Sequence, residues 1–295
     1  MNIPKYIQKG NAFIALSENE VINQSKAIYK DNSFVFEQDE IVFIYLDNYA
    51  KETINLNIKE NVKVKVFFIS YHSRKNEIQM NINIENKALL NLYSNFIARR
   101  KTKVNLKREF NLGYNSSLIL LNNITYNGQL RLDEKINLNQ ELANIDIDLL
   151  NVGGRDDLVY VNQQVNHKAK KTYSQIHNWL ISHENAKLDY YVNGTIEKGN
   201  ELSNCHQLNK GIILSKKGEI KVEPTLFIDE YNVKASHGAA IGQIDENQLF
   251  YLLSRGLSEE QARSLIISGY INPFINKIKN KSLESQLKRR ISSLI

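Results

Sequence analysis

From Ile41 onward the apolar residues fall on alternate positions, so that IVFIYLD, TINLNI, VKVKVFF and IQMNINI each repeat with a period of two. Successive side chains of an extended strand point to opposite faces, which puts Val62, Val64 and Val66 on one face and Lys63 and Lys65 on the other. The pattern continues through KVNLKREF, SLILLNNI, QLRLDEKINL, NIDIDLL, DLVYVNQQV, SQIHNWLIS and KLDYYV, with turn formers between the runs. That many short strands exceed what one open sheet carries. Two mainly β architectures absorb them: hairpins closed into a sandwich or barrel, or a parallel solenoid in which each strand stacks on the preceding coil. Only Asn127-Gly128 makes a good two-residue hairpin turn, which favours the solenoid. The recurrent asparagines (Asn55, Asn57, Asn81, Asn83, Asn105, Asn122, Asn123, Asn162) fit stacked amide ladders at coil corners. Residues 1–40 carry mixed signals, with a short helix near Ser17 and Val21 or strands around Ile14 and FVF both compatible with the pattern.

Between Pro224 and Pro273 the alternation gives way to helical spacing. Asp245 with Gln248 forms a helix-start box, which Ile244 can staple against Leu249. The helix then shows Leu249, Phe250, Leu252 and Leu253 before Gly256, a residue suited to a left-handed stop. Ser258 with Gln261 repeats the start signal for a second helix ending near Gly269, and Asn272-Pro273 opens a third. Leu283, Leu287, Ile291 and Leu294 recur beside Lys288, Arg289 and Arg290, giving an amphipathic tail with a basic flank. The expected division is an N-terminal segment (1–40), one β body (41–243) and a small C-terminal helical domain (244–295). The apolar stripe of those helices either packs back on the β body or stays free for a partner.

A 42% hydrophobic content supports an extensive core, and no apolar run approaches the roughly 18 residues of a membrane span. The opening MNIPKYIQKGNAF lacks the basic-then-apolar order of a signal peptide, so the cytoplasm, or an equivalent organelle stroma or matrix, is the expected compartment. The single Cys205 excludes an internal disulfide framework and an all-cysteine metal cage from one chain. Net charge is +6, but the cations are scattered from Lys5 to Arg290, which reads as a solvated basic surface rather than a nucleic-acid site.

There is no GxxxxGK[ST] loop, GxSxG elbow, HExxH or CxxC pair. Asp146 and Asp148 share a strand face and could line a groove as in polysaccharide-cleaving solenoids; Asp156-Asp157 reads as a turn, and a solvated face is the commoner meaning of such pairs. His237, followed by Gly238-Ala239-Ala240, is either a satisfied structural histidine or an imidazole placed to ligate a metal or relay a proton. Cys205 beside His206 could act as nucleophile or sulfur acceptor, although adjacent strand residues face opposite sides and a buried inert thiol competes. His167 and His177 show no ligand-like spacing.

The stretch Pro224, Leu226, Ile228, Val233-Lys234, Ser236-His237-Gly238-Ala239, Gly242, Ile244-Asp245-Glu246, Leu249-Phe250-Tyr251-Leu252 and Ser254-Arg255-Gly256 resembles the C-terminal half of the SufB/SufD family of iron–sulfur cluster assembly scaffolds, SufD more than SufB. Asn166-His167, Ser174, Asn193-Gly194, Gln207 and Ile212–Ser215 resemble it more loosely, which extends the likeness over about residues 160–295. The resemblance implies a right-handed parallel β-helix followed by helices that dock the SufC ATPase, here through Leu249, Phe250, Leu253, Arg255, Leu265 and Ile266. It implies pairing with SufB or a second copy, and a role for His237 in cluster assembly at that contact, as a transient iron ligand. ATP then enters only through SufC, and flavin is a further candidate cofactor of the complex. The family's cysteine positions fall here on Asn209 and Ala235, so Cys205 is a neighbour and not an equivalent. The N-terminal helical region common in the family is expected to be lacking or reduced to a few residues.

Overall fold

The computed structural model describes residues 3–8, 11–49, 53–98, 102–125 and 127–292. An N-terminal segment supplies helix α1 (Lys5–Gln8) and strands β1 (Ala12–Ser17), β2 (Val21–Gln24), β3 (Ile28–Lys30) and β4 (Ser33–Phe36). The chain then coils through β5 (Glu40–Asp47), β6 (Ile54–Ile58), β7 (Lys63–His72), β8 (Asn76–Ile84) and β9 (Leu89–Ala98). Next come β10 (Thr102–Leu112), β11 (Ser117–Ile124), β12 (Gly128–Leu138), β13 (Asn144–Gly153) and β14 (Leu158–His167). The last coils are β15 (Tyr173–Ser182), β16 (Lys187–Ile196), β17 (Asn204–Ile213), β18 (Glu219–Ile228) and β19 (Lys234–Gly242).

Odd-numbered strands from β5 to β19 stack with β1 and β2 in one sheet, and even-numbered strands from β4 to β18 stack with β3 in the other. Every pairing between coils is parallel, so the solenoid reading holds and the hairpin alternative falls. Asn127-Gly128 is no hairpin turn: Gly128 opens β12 with φ +129, and a Cβ there would lie 2.3 Å from the Thr102 carbonyl oxygen. From β5 on, the coils range from 24 residues between the partners Glu40 and Val64 to 32 between Lys187 and Glu219.

The period-two pattern now has its cause. Inward residues of both sheets, such as Val64, Leu90, Leu118 and Ile145 from one and Ile82, Phe110, Ile136 and Val165 from the other, form one core running the length of the coil. Each fully buried aliphatic side chain contributes about 1.5–3 kcal/mol. Asparagines form ladders as expected, but along the outer strand face and not at the corners: Asn83 donates to Asn57 (2.9 Å), Asn111 to Asn83 (3.3 Å), Asn137 to Asn111 (3.1 Å) and Asn166 to Asn137 (3.1 Å). Stacked strands lie about 4.8 Å apart, the spacing at which identical amides bond each other. One corner is built instead from left-handed residues, Asn61, Lys87, Asn115, Leu142, Lys171 and Leu202, with φ between 50 and 63.

The two ends differ. Short antiparallel partners close the N-terminal end, β2 on β1 and β3 on β4. At the other end β18 and β19 each have one neighbouring strand among the described residues, β16 and β17, and leave their far edges bare.

Three helices follow: α2 (Glu246–Ser254), α3 (Glu259–Ile278) and α4 (Lys281–Ser292). Asp245 caps α2 by accepting from the Asn247 amide (2.8 Å), and Gly256 follows with φ +91. Ser258 and Gln261 form the complete reciprocal box at the start of α3. The expected stop at Gly269 and new start at Pro273 do not occur, since α3 runs through both. Proline crowds the carbonyl four residues earlier, here that of Gly269, whose missing side chain leaves room to bend. The stripe Ile267, Ile271, Phe274, Ile275 and Ile278 continues unbroken over the outer face of the first sheet, against Phe67, Tyr93, Leu121 and Leu150. Tertiary burial outweighs the local breakers. Leu283, Leu287 and Ile291 of α4 join the same cluster, while Leu294 lies outside the described residues.

Candidate functional site

The bare end carries the residues that the sequence singled out. Register places Gln207 of β17 beside His237 of β19, Cys205 beside Ala235, and Asn209 beside Ala239. Cys205, Gln207 and Asn209 are buried, so this set faces the lumen, and His237 extends the same row at the exposed mouth. Going toward the mouth, one row reads Leu118, Ile145, Ser174, Cys205 and the next reads Leu120, Ile147, Ile176, Gln207, His237. An apolar lumen thus turns polar in its last coils. Gln207 donates to the Thr225 carbonyl (3.3 Å), and its buried Oε1 has no partner among the described residues.

Cys205 is fully buried, and its sulfur rests on Gly194, where an added Cβ would lie 2.5 Å from Sγ. Burial pushes the thiol pKa up, against a hydrogen bond to Ser174 that lowers it, so Cys205 is a neutral thiol. Ser174 Oγ also lies 2.8 Å from Nε2 of His167, whose Nδ1 meets Thr172 Oγ1 at 2.7 Å. Burial lowers the His167 pKa to about 4, which makes it a satisfied neutral imidazole. His206 points to the outer face, with Nδ1 2.8 Å from Ser236 Oγ, so Cys205 and His206 face opposite sides as alternation requires.

A polar thread leads inward from the mouth. Asn209 donates to the Gly238 carbonyl (3.2 Å), Asn178 donates to Asn209 (2.8 Å) and to Gln163 (3.0 Å), and Gln163 donates to Glu134 (3.1 Å). Glu134 pairs with Arg108, both side chains fully buried, and Arg108 also donates to Ser94 and Asn122 (2.7 Å each). Sequence reasoning passed over Arg108, Glu134, Gln163 and Asn178; the available signal was a charged or amide side chain at an inward position of an otherwise apolar row.

The strand-face aspartates do not line an open groove. Asp148 is 1% exposed beneath α3, where it accepts from Lys277 and faces His177 Nδ1 at 3.8 Å. Asp146 lies 4.0 Å from the same Lys277. Asp157 is buried at a corner and accepts from the backbone amides of Gly128 (2.8 Å) and Gly154 (3.0 Å). These contacts remove the geometry of a paired-carboxylate glycan cleft. Among the described residues no three His, Cys, Asp or Glu side chains converge as a metal site.

The second surface is helical. No residue of α2 is buried; Phe250, Tyr251 and Leu253 are exposed, as is Leu265 near the start of α3. Leu252, Leu265, Ile266 and Tyr270 line a shallow hollow with Ile212. The helices therefore divide: α4 and the second half of α3 pack on the sheet, and α2 with the start of α3 presents apolar side chains to solvent.

Fold and site together define a parallel β-solenoid scaffold, unfinished at one end and flanked by a partly exposed helical element. Residues 45–270 match the family described as SUF system FeS cluster assembly, SufBD core domain, and the chain belongs to that family. It is 34% identical over 119 residues to an iron–sulfur cluster assembly SufBD family protein of Synechocystis sp., covering 40% of this chain and 26% of that protein. It is 32% identical over 136 residues to the iron–sulfur cluster assembly protein SufD of Bacillus subtilis (46% and 31%), and 27% identical over 165 residues to SufD of Escherichia coli (55% and 38%). The matched stretches thus span less than two fifths of each of these three relatives. No described helix is long and apolar enough to cross a membrane.

Proposed function

We propose that this chain is a SufD-like scaffold subunit that pairs through its bare solenoid end with SufB, or with a second copy of itself, and recruits the SufC ATPase through α2 and the start of α3. The observation that carries the pairing is the contrast between the ends: short antiparallel strands cap one, while β18 and β19 present two long unpaired edges at the other. Unpaired edges of that length are templates for another strand. Phe227, Tyr231 and Ile241 add exposed apolar surface there. His237 stands in that mouth and supplies a nitrogen ligand or proton acceptor for the nascent cluster. One imidazole does not hold a cluster, so the thiolates come from the partner; Cys205, one row away and neutral, enters the chemistry only when the last coil opens.

The docking surface comprises Leu249, Phe250, Leu253, Arg255, Leu265 and Ile266, with ATP bound by SufC alone. The experiment is co-purification with SufB and SufC followed by anaerobic cluster reconstitution. His237→Ala is expected to leave the complex intact and abolish cluster formation, whereas normal cluster formation removes the site. Phe250→Asp, at a residue 73% exposed, is expected to keep the fold and lose SufC; retained SufC removes the docking assignment.

A further inference from the structure

Strand β19 is held by one neighbouring strand, and yet it carries His237. We propose that a polar seam on the outer face of the first sheet positions β19, and with it His237, relative to helix α3; this rests on the functional reading of His237 and of the α2–α3 surface given above.

The seam begins on α3, where Lys277 donates to Asp148. Burial works to raise the Asp148 pKa, but His177, facing it at 3.8 Å, and Lys277, bonded to it, override this and hold the carboxylate below its ordinary value. On β15 the Tyr173 hydroxyl donates to Gln175 Oε1, which fixes the orientation of that amide. The Gln175 NH2 group then donates to His177 Nε2 (3.1 Å), so the His177 proton sits on Nδ1, facing Asp148. Every donor in this run points toward Asp148, an arrangement in which each bond polarises the next.

Toward the mouth the link from β15 to β17 is register and ring packing. Gln175 is in register with His206, and the Tyr173 ring lies 6.3 Å from the His206 ring. His206 Nδ1 meets Ser236 Oγ at 2.8 Å, and Ser236 immediately precedes His237. Three strand spacings from β13 to β19 amount to about 14 Å. At the helical end, Lys277 follows the exposed Leu265 by twelve residues on α3, or about 18 Å of helix. A load at the start of α3 is therefore carried along one helix to the head of the seam. The Arg290 guanidinium of α4 acts on Asp157, at the corner before β14 and not on β19.

The test uses histidine-ring and backbone amide NMR on the full chain, whose six histidines make assignment tractable. In the wild type His177 is expected to be protonated on Nδ1. Lys277→Met is expected to shift the ring signals of both His177 and His206 and the amides of Ser236 and His237 by more than their linewidths, and Lys277→Arg to restore them. Arg290→Met, which removes a charge of the helices remote from β19, is expected to leave all four in place. Unmoved His206 and Ser236 signals in a folded Lys277→Met chain overturn the proposal, as do equal shifts in Arg290→Met, which would mean general loosening. Should Lys277→Met melt, Asp148→Asn, of the same size, gives the same readout. Because the chain is measured alone, failure here leaves the ATPase and cluster reading standing, and a failed reconstitution leaves the seam standing.

Discussion

Glu134→Leu tests how much the buried Arg108–Glu134 pair in the lumen contributes. Arg108 and Glu134 have no exposed side-chain surface, and Arg108 lies between the rings of Phe96 and Phe110, at 5.4 and 5.5 Å from their centroids. Removing one partner of such a pair leaves a charge in low dielectric and costs about 3–5 kcal/mol. Glu134→Leu also takes the acceptor from Asn122 and Gln163, each a buried donor worth about 1–3 kcal/mol when unmet. We expect a loss of at least about 4 kcal/mol, a large share of the roughly 5–15 kcal/mol typical of a domain. Arg108→Met/Glu134→Leu removes both charges and is expected to recover at least about 2 kcal/mol relative to Glu134→Leu, since apolar replacement of a whole buried pair is close to neutral. The assay is equilibrium urea unfolding followed by far-UV circular dichroism and by the fluorescence of the single Trp179, which reports a different coil. A Glu134→Leu cost under about 1 kcal/mol, or a double variant equal to the sum of its singles, refutes the reasoning.

Other consequences follow from the same geometry. Leu202, half exposed with φ +62, pays for a left-handed corner, so Leu202→Asn is expected to raise stability by up to about 1 kcal/mol, read as a higher Tm. Gly194→Ala drives a methyl group into the Cys205 sulfur and is expected to cost about 1–3 kcal/mol, with most of it returned by Cys205→Ala in the same chain. His72 and His167 are buried with pKa lowered to about 4, whereas histidines of the unfolded chain titrate near 6.5. Between those values the unfolded chain binds more protons, so their contribution is fully present above about pH 6.5 and falls by up to about 3 kcal/mol per histidine as pH drops to 4. Urea midpoints measured from pH 7 to pH 4 check this, and His167→Gln should flatten the slope.

Much of this molecule is written locally. Alternation at Val62–Val66 or through NIDIDLL marks strands because one face of each must be buried, and Ser258 with Gln261 marks a helix start because a helix leaves its first amides unpaired. The resemblance around Ser236-His237-Gly238 pointed to the family that residues 45–270 then matched. What no window of sequence contains is register. The distance along the chain from Arg108 to Glu134 or from Asp148 to Lys277 becomes a contact only after coils of 24 to 32 residues stack and the helices fold back, and Cys205 meets Gly194 only because one coil turns back across the lumen. The same holds for the run of α3 through Gly269 and Pro273, where two local stop signals yield to a stripe of isoleucines and Phe274 that the outer sheet face covers. Local chemistry therefore determined which segments are strands and where α2 and α3 start, because those choices depend on neighbours within a few residues. Tertiary structure alone decided which polar side chains meet in the lumen, which aspartates are covered, and that His237 stands at a bare edge, because each depends on residues brought together by stacking.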